Sequence, residues 1–431
     1  MASTQQFDRI AAPLREEFAR ISAGAVDRER ARELPRAEVG ALAAAGFGAL
    51  RVPQDAGGAG LTLPQAATLW REAAAADSNI PQIFRGQFAI VEDRLHATDA
   101  SRTAWFDRFL SGEFVGNAWS ETGTTTTAGS LTRVTRTSEG LRLSGRKYYT
   151  TGSIYAQWTD ATATADDGST VAVLVPTDAP GVTISDDWDG FGQKLTGTGT
   201  IVFEDVPVDP ANVLTLTDRF SYQTALYQLV LLSVHAGIAR RAADDAAQAV
   251  RDRTRVYTHG LAPLARNDGQ ILAVVGQVES AAFAADAIAD RAAHALQAVS
   301  DLESQRGSEA HRRALADAEL ATAQGQVVLT DLVPRAASIL FDALGASGTS
   351  EKLALDRHWR NARTVGSHNP VIYKQRIIGD AAVNGTEPVY LWDVGVSAGG
   401  AAAGAAGEAA DQATAESADR EQAAAREAVR A

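Results

Sequence analysis

The chain has 431 residues, 45% hydrophobic and 22% charged, an ordinary globular balance whose length suggests two to three domains. A net charge of −13 argues against a nucleic-acid surface, and the lack of cysteine excludes disulfides, thiolate metal sites and a cysteine nucleophile. The first 30 residues carry Arg9, Arg15, Glu16, Glu17 and Asp27 and no apolar leader core, and no run reaches the ~18 apolar residues of a bilayer span, so a cytoplasmic protein without a membrane partner is expected.

From Gln5 to about Ser111, Ala, Leu, Arg and Glu dominate and apolar positions recur three and four apart, a helical pattern punctuated by Pro13, Pro35, Pro53, Pro64 and Pro81. The Gly-rich stretch 52–60 reads as a loop. Residues 1–112 therefore form an N-terminal helical domain. From Phe114 the texture shifts to Thr, Val, Tyr and Gly. Residues 131–137 alternate inside and outside, Ser138-Glu139-Gly140 turns the chain back, and 141–149 completes a hairpin. Strands at 161–165, 170–176 and 200–206 extend this into a central antiparallel β domain over 113–215. Long helical patterns follow at 222–251, 271–300 and 308–344, broken at Gly260 to Pro263 and at Gly307, which suggests an up-and-down bundle over 216–396. The stretch 226–239, interrupted by Gln228, Ser233 and His235, reads as a core helix. Residues 397–431 have almost nothing large and apolar to bury and read as a disordered tail or a loose exposed helix. The class is α+β, and clefts between such lobes are natural ligand sites.

Five segments carry a resemblance. Asn117-Ala-Trp-Ser-Glu-Thr-Gly123 and Gly145-Arg-Lys-Tyr-Tyr-Thr-Thr-Gly152 resemble the T-E-P-x-x-G-S and K-x-W-I-T-N-G segments of acyl-CoA dehydrogenases. Gly199-Thr-Ile-Val-Phe-Glu-Asp-Val-Pro-Val208 is similar to that family's closing strand, and Gly345-Ala-Ser-Gly348 and Arg360-Asn-Ala-Arg363 to its late segments. The resemblance runs in order from about residue 30 to 395. Asp187-Trp-Asp-Gly-Phe-Gly-Gln193, Thr198, Gly199 and Ser367-His-Asn-Pro370 resemble the flavin-dependent monooxygenase branch, the dibenzothiophene monooxygenase and sulfur-acquisition group. It implies an acyl-CoA dehydrogenase-like fold, with an N-terminal helical domain, a central antiparallel β domain and a C-terminal four-helix bundle, assembled as a homotetramer. It also implies reduced FMN, supplied by a separate NAD(P)H:flavin reductase, that reacts with O2 through a C4a-(hydro)peroxyflavin to oxygenate a small apolar substrate such as an organosulfur compound.

By that resemblance Tyr148 stands where the family places its aromatic residue, Thr151 lies nearest the reactive flavin carbon, and Thr150 lies on the ring edge. Alone, both threonines read equally as strand residues of high β propensity. Asn117, both donor and acceptor, would cover the ring with the backbone of Ala118, Trp119, Ser120 and Glu121; a strand-end turn, and for Trp119 a place in the β core, are the plain alternatives. Arg251-Asp-Arg253-Thr-Arg255 resembles the family's arginine segment, which reaches the flavin phosphate of a neighbouring subunit, so Arg253 and Arg255 are phosphate ligands unless they only line a solvated face. Gly345, Ser347, Gly348 and Thr349 open the next helix, where free amides favour an anion.

A missing acid separates dehydrogenase from oxygenase. In many acyl-CoA dehydrogenases the catalytic Glu follows nine residues after the Arg of the Arg-Asp-Ala segment; here that position is Asn369. The alternative position for that Glu falls near Tyr227, and 222–238 contains no carboxylate. Beside Asn369 stands His368, in a loop whereas the other six histidines lie on or near helices, and its imidazole could exchange a proton near neutrality. Relatives often carry a cavity-facing histidine in the early helix. Arg85-Gly-Gln87-Phe88 occupies that region, with Gln87 in the histidine's place and Phe88 and Asn369 beside it in the substrate pocket. The histidines are too scattered for a metal site. Two rival readings are an FAD-dependent acyl-CoA dehydrogenase with Glu387 of Asn384-Gly-Thr-Glu-Pro388 as its base, and a non-catalytic helical scaffold.

Overall fold

The computed structural model describes residues 4–121, 130–216 and 219–390; the segment 397–431 lies outside them, as do Thr122 and Gly123 of the first motif. Six helices come first: α1 (Thr4–Ala31), α2 (Arg36–Ala44), α3 (Leu63–Ala76), α4 (Ile80–Ile83), α5 (Arg85–His96) and α6 (Ser101–Leu110). The start of α3 is set locally. The Thr62 hydroxyl accepts from Gln65 N, Gln65 Oε1 accepts from Thr62 N at 3.0 Å, and Pro64 occupies the first turn, where no amide partner is lost. The apolar faces meet on an aromatic cluster. Phe47 lies edge-on to Phe18, Phe84 and Phe88 at 5.7, 5.2 and 5.6 Å, and Trp70 stacks on Phe88 at 4.5 Å.

The middle of the chain supplies β1 (Val115–Ala118), β2 (Arg133–Thr137), β3 (Gly140–Lys147), β4 (Trp158–Thr164), β5 (Thr170–Pro176), β6 (Val182–Ile184), β7 (Ile201–Val208) and β8 (Val213–Thr215). They form one sheet in the order β6-β7-β3-β2-β4-β5-β8, with β1 added beside β4. The expected hairpin is β2–β3, with Thr137 opposite Gly140. The sheet is antiparallel except around β4. There β1 runs parallel, from Val115 opposite Trp158 to Ala118 opposite Ala161, and β2 touches β4 in the parallel sense at Arg133 and Thr164. β1 enters from the helical lobe and not through a hairpin, so no turn dictates its direction. Within the sheet Lys147 Nζ donates to Glu121 Oε1 at 2.6 Å, to Ser130 Oγ at 2.7 Å and to Thr162 Oγ1 at 3.0 Å. Glu121 also accepts from the amides of Leu131 and Thr132 at 2.8 and 3.0 Å.

The remaining helices are α7 (Gln223–Asp252), α8 (Gly269–Asp301), α9 (Glu309–Leu344), α10 (Asp356–Gly366) and α11 (Lys374–Asn384). Asp268 caps α8 by accepting from Gln270 N at 2.9 Å, and Ser308 caps α9 by accepting from His311 N at 3.1 Å. α7, α8 and α9 pack on one another, and the short α10 lies against α7 and α9, so the fourth member of the expected bundle is only 11 residues long. By length and composition α8 could cross a membrane, which its many alanines conceal from a count of large apolar residues. Ion pairs instead tie it to its neighbours: Asp286 to Arg71 and Glu279 to Arg240, both at 2.7 Å. Leu272 and Phe283, near these ion pairs on the same helix, remain uncovered, Phe283 at 79% exposure.

Burial alone would raise the Glu121 pKa; the bonds from Lys147, Ser130, Thr132 and Leu131 outweigh it and pull it down to about 2. Its stabilisation is therefore complete above the unfolded value near 4.5 and is lost as pH falls toward 2. Glu121→Gln should destabilise the chain in urea by roughly 3 kcal/mol at neutral pH by leaving the Lys147 ammonium buried and unpaired. The gap to wild type should shrink as pH falls through that window; an unchanged gap would show that Glu121 is not the titrating partner.

Candidate active site

The site is built where α5 starts against β1. A Cβ on Gly86 would lie 3.0 Å from Gly116 C and 3.2 Å from Asn117 N, so a side chain there would push helix and strand slightly apart and glycine favours this close approach. The contact sets Arg85 beside Asn117. Arg85 is 6% exposed, and its guanidinium lies 5.1 Å from the centre of the Tyr227 ring in the first turns of α7. Tyr227 meets Trp119 edge-on at 6.2 Å, and Arg219 lies 5.2 Å over the Trp119 ring. His368, in the loop after α10, feels the Arg85 charge.

The two arginines differ in their electrostatics. Arg219 is compensated by Asp160 at 2.8 Å and Asp93 at 3.6 Å. Arg85 makes no hydrogen bond or ion pair with any described residue, and its Nε is buried without a partner. Burial pushes its pKa down to about 10, with Tyr227 opposing the shift. Burial pushes Tyr227 up to about 12, against the pull of Arg219, so its phenol keeps its proton at neutral pH. Asn117 Oδ1 and Trp119 Nε1 are also buried without partners. Each such group costs about 1–3 kcal/mol unless something binds it, so their concentration around Tyr227 and β1 marks a ligand site.

Several residues expected at the site have other partners. Gln87 is fully buried. Its Nε2 donates to Gly48 O at 3.0 Å, and its Oε1 accepts from Val115 N at 2.9 Å. It fastens α5 to β1, and Arg85, not Gln87, is the residue of this turn that faces the cleft. Phe88 belongs to the aromatic core with Trp70 and Phe47, not to a pocket. Asn369 is an anchor: its Nδ2 donates to Gln228 Oε1 at 2.7 Å, and its carbonyl accepts from Gln326 Nε2 at 2.8 Å. Its Oδ1 lies 3.3 Å from His368 Nδ1, so Asn369 carries the histidine. His368 itself is exposed to solvent. The protein crowded around it and then the Arg85 charge push its pKa below the ordinary imidazole value, so it is neutral at pH 7.

The threonines are also committed. Thr150 Oγ1 donates to Gly199 O at 3.0 Å. Thr151 Oγ1, Thr198 Oγ1 and Thr196 Oγ1 form a chain at 2.7 and 2.8 Å that ends on Gln193 O at 3.0 Å. Three hydroxyl protons serve three contacts, so the Thr151 proton points along the chain into the protein. Neither hydroxyl has a proton left for a flavin. Counting from Lys147 in K-x-W places the family's aromatic at Tyr149 and not at Tyr148. Tyr149 has φ +62° and is 47% exposed; its ring meets Tyr148 at 4.6 Å and Trp188 at 6.1 Å. The Tyr148 amide donates to the carbonyl of exposed Ser120 at 2.9 Å.

Residues 7–113, 116–206 and 229–372 match the N-terminal, middle and C-terminal domains of acyl-CoA dehydrogenase in turn. The chain is 29% identical over 384 residues to dibenzothiophene monooxygenase of Rhodococcus qingshengii, covering 85% of this chain and 91% of the relative. It is 27% identical over 389 residues to the "Probable FMNH2-dependent monooxygenase SfnC" of Pseudomonas putida, covering 88% and 95%. The solved complex of TdsC from Paenibacillus sp. A11-2 with FMN and indole matches with a TM-score of 0.80 and 28% identity, covering 89% of this chain and 99% of that one. The chain belongs to the flavin-dependent monooxygenase branch of the acyl-CoA dehydrogenase superfamily.

The carboxylates of this flavin monooxygenase fit that placement. Asp93 and Asp160, whose charges reach Tyr227, are held by Arg219, and Asp93 also by Arg94 at 2.7 Å. Glu387 is exposed and contacts Tyr390 at 3.4 Å. Among the described residues no His, Asp and Glu group could hold a metal. The branch-specific motifs clamp the fold. Asn361 Oδ1 accepts from Gln193 N at 2.6 Å, a Cβ on Gly192 would lie 2.2 Å from Arg360 O, and Asp187 grips Thr200 N and Oγ1 at 2.7 Å each.

The expected phosphate residues form a second, distant group. Arg253 Nη1 donates to Ala343 O at 2.8 Å, and a Cβ on Gly345 would lie 3.9 Å from Arg253 Nη2; Arg255 is exposed. Gly345–Thr349 is a short turn that ends α9, and the next α-helix begins at Asp356, so the expected helix N-terminus is not at Gly345. The hydroxyls of Ser347 and Thr349 donate back to Leu344 O and Ala346 O at 3.0 and 2.7 Å, and Gly348 packs on Leu344. The roughly 25 residues of α7 between Tyr227 and Arg253 span about 38 Å. Sequence reasoning missed Arg85, Arg219 and Tyr227 as site residues, although it had located Tyr227 at the position of the absent acid.

Gln87→Leu should destabilise the chain by about 2–4 kcal/mol in urea by stranding Gly48 O and Val115 N, with substrate KM unchanged in the folded fraction; a shifted KM at wild-type stability would return Gln87 to the pocket. The His368 ring, followed by NMR, should titrate below 6.5 in wild type and higher in Arg85→Gln. An identical midpoint in both would separate the two residues.

Proposed function

We propose that the chain is the oxygenase of a two-component system. It receives reduced FMN from a separate NAD(P)H:flavin reductase and places one atom of O2 on the sulfur of a small organosulfur substrate. The balance is sulfide, O2 and FMNH2 giving sulfoxide, FMN and water. One observation carries this reading: around Tyr227 the described residues offer a protonated phenol, a neutral imidazole and a free guanidinium, while the carboxylates whose charges reach Tyr227, Asp93 and Asp160, are both paired with Arg219 and poorly placed to remove a substrate α-proton. The relatives' names, FMN in the TdsC complex and dibenzothiophene as substrate, support FMN over FAD and an organosulfur substrate. The position of Glu387, and a cleft rich in unpaired polar groups, weigh against the dehydrogenase and scaffold readings.

The residues fit a flavin ring. The pyrimidine edge of a flavin alternates donors and acceptors, which matches the acceptor Asn117 Oδ1 and the donor Trp119 Nε1. Tyr149, exposed at the end of β3 with Tyr148 inclined to it at 63°, offers one flat aromatic face. When bound, reduced FMN supplies the electrons that make O2 an oxygen donor. Tyr227 holds a proton at Oη that it can donate toward a developing oxyanion. Neutral His368 can accept a proton from the substrate side. The distance between Tyr227 and Arg253 exceeds the reach of one FMN, so Arg253 and Arg255 would serve the phosphate held by another copy. The uncovered Leu272 and Phe283 on α8 offer an apolar face for such a homo-oligomer.

Under anaerobic loading with FMNH2 followed by 18O2, dibenzothiophene should gain a single 18O per turnover, with the second atom recovered in water. Loss of flavin colour on adding an acyl-CoA without O2, and no label in dibenzothiophene, would favour the dehydrogenase. Phe283→Glu should give a smaller species by light scattering and weaken FMN retention at least ten-fold; tight FMN binding by that smaller species would remove the intersubunit role of Arg253 and Arg255.

A further inference from the structure

Burial makes Arg85 the exception among the arginines. Arg28, Arg71, Arg94, Arg219 and Arg357 are equally buried, and each reaches a carboxylate at 2.5 to 2.9 Å. Arg85 reaches none among the described residues. Its one close partner is the face of Tyr227, which attracts the cation and leaves the N–H edges of the guanidinium free. The charged or titratable side chains whose influence reaches it are Tyr227 and His368, both neutral at pH 7. The first turn of α5, a 12-residue helix, adds its own partial positive charge at the same point. A cation left unpaired in a low-dielectric cleft, with its fork of donors free, is half of an ion pair.

We propose that Arg85 is an oxyanion subsite that binds the negatively charged head of the substrate. This rests on the reading of the cleft as an oxygenase site and narrows its preferred substrate class: a small organic molecule carrying a sulfinate, sulfonate or carboxylate, favoured over a wholly apolar compound such as dibenzothiophene. The substrate takes this role, not the flavin, because Arg85 stacks on Tyr227, the residue at the position of the dehydrogenase base, which faces the reacting substrate. The flavin is instead matched by Asn117 of β1 and by Trp119 just after it, which meets Tyr227 edge-on at 6.2 Å. Arg85 then acts twice. It fixes the anionic end by two parallel N–H bonds, and the bound anion removes the charge that depresses the His368 pKa.

The test is equilibrium binding to the full chain, with and without oxidised FMN, read by tryptophan fluorescence and by the shift in unfolding temperature. The probes are benzenesulfinate, its neutral counterpart methyl phenyl sulfone, and inorganic sulfate. Wild type should bind benzenesulfinate at least ten-fold more tightly than the sulfone, and only the anion should raise the unfolding temperature. Arg85→Gln should abolish that preference while keeping FMN affinity within two-fold; Arg85→Lys should keep part of it. Removing an uncompensated buried charge should not unfold the chain, and circular dichroism of both variants checks this. Equal binding of the two organic probes overturns the proposal. So does sulfate binding as well as benzenesulfinate, an adventitious ion only, or Arg85→Gln losing FMN at least ten-fold with the preference intact, which would assign the arginine to the flavin. Label transfer from 18O2 to dibenzothiophene without any anion preference would sink this subsite and leave the oxygenase standing; anion preference with no label in either dibenzothiophene or benzenesulfinate would sink the oxygenase and leave only an anion-binding site.

Discussion

A positive charge held inside the protein without a counter-ion governs this site. Isolated buried charge is among the least favourable things a fold can contain, several kcal/mol even after relaxation. The close approach of α5 to β1, which Gly86 permits by having no side chain against the strand, places Arg85 where no described carboxylate reaches it. The Tyr227 ring recovers part of the deficit, on the order of 2 kcal/mol for a desolvated cation–π contact. The rest persists as a field. It lowers the His368 pKa and opposes the upward push of burial on Tyr227. The neighbouring acids are neutralised by Arg219. The cleft thus holds neutral acid and base groups and a cation, a set suited to receiving negative charge and poorly suited to drawing a proton from carbon.

Such a field is useful only if its source cannot move, and the surrounding bonds supply that rigidity. Gln87 satisfies two backbone groups across the α5–β1 junction, one turn from Arg85. The loop bearing His368 is tied through Asn369 to Gln228 on α7 and Gln326 on α9. The segment before β7 is clamped by Asn361 and Asp187, and the threonine hydroxyl chain runs within it. Residues that sequence comparison marks as the branch's signature therefore hold the cleft walls in place, and the group that carries charge lies outside the signature.

The legibility of the sequence follows the same division. The long helices could be read because their apolar residues repeat over many turns, and the β2–β3 hairpin because alternation and a Ser-Glu-Gly turn agree. The direction of β1 could not, since four buried residues in a row fix neither partner nor sense. Choosing Gln87 over Arg85 was an error of helical phase. α4 ends at Ile83 and α5 begins at Arg85, and without knowing where the second helix starts, residues 85 and 87 are equally eligible to face the cleft. The threonines misled for another reason. A hydroxyl advertises a donor in the sequence, but whether its proton is already committed depends on neighbours such as Thr198, 47 positions away. The lack of a carboxylate within 222–238 was fully legible, because it needs no orientation; that Asp93 and Asp160 come close to Tyr227 in space was not.

Distance imposes the last constraint. The arginines suited to phosphate follow the C-terminal end of α7, and Tyr227 lies near its N-terminal end, so one rigid helix separates them by about 38 Å. No side-chain motion closes such a gap. A flavin seated on β1 in one copy can meet an Arg253 only by the approach of another. The uncovered side of α8, with Phe283 and Leu272, is where apolar area remains to drive that approach. If Arg253 and Arg255 meet the phosphate of a neighbouring copy as proposed, cofactor retention is linked to assembly: at concentrations where copies separate, the ring site would survive within each chain while the phosphate site would be dismantled. The charge at Arg85 belongs wholly to one chain, so the subsite for the substrate should outlast the site for the flavin.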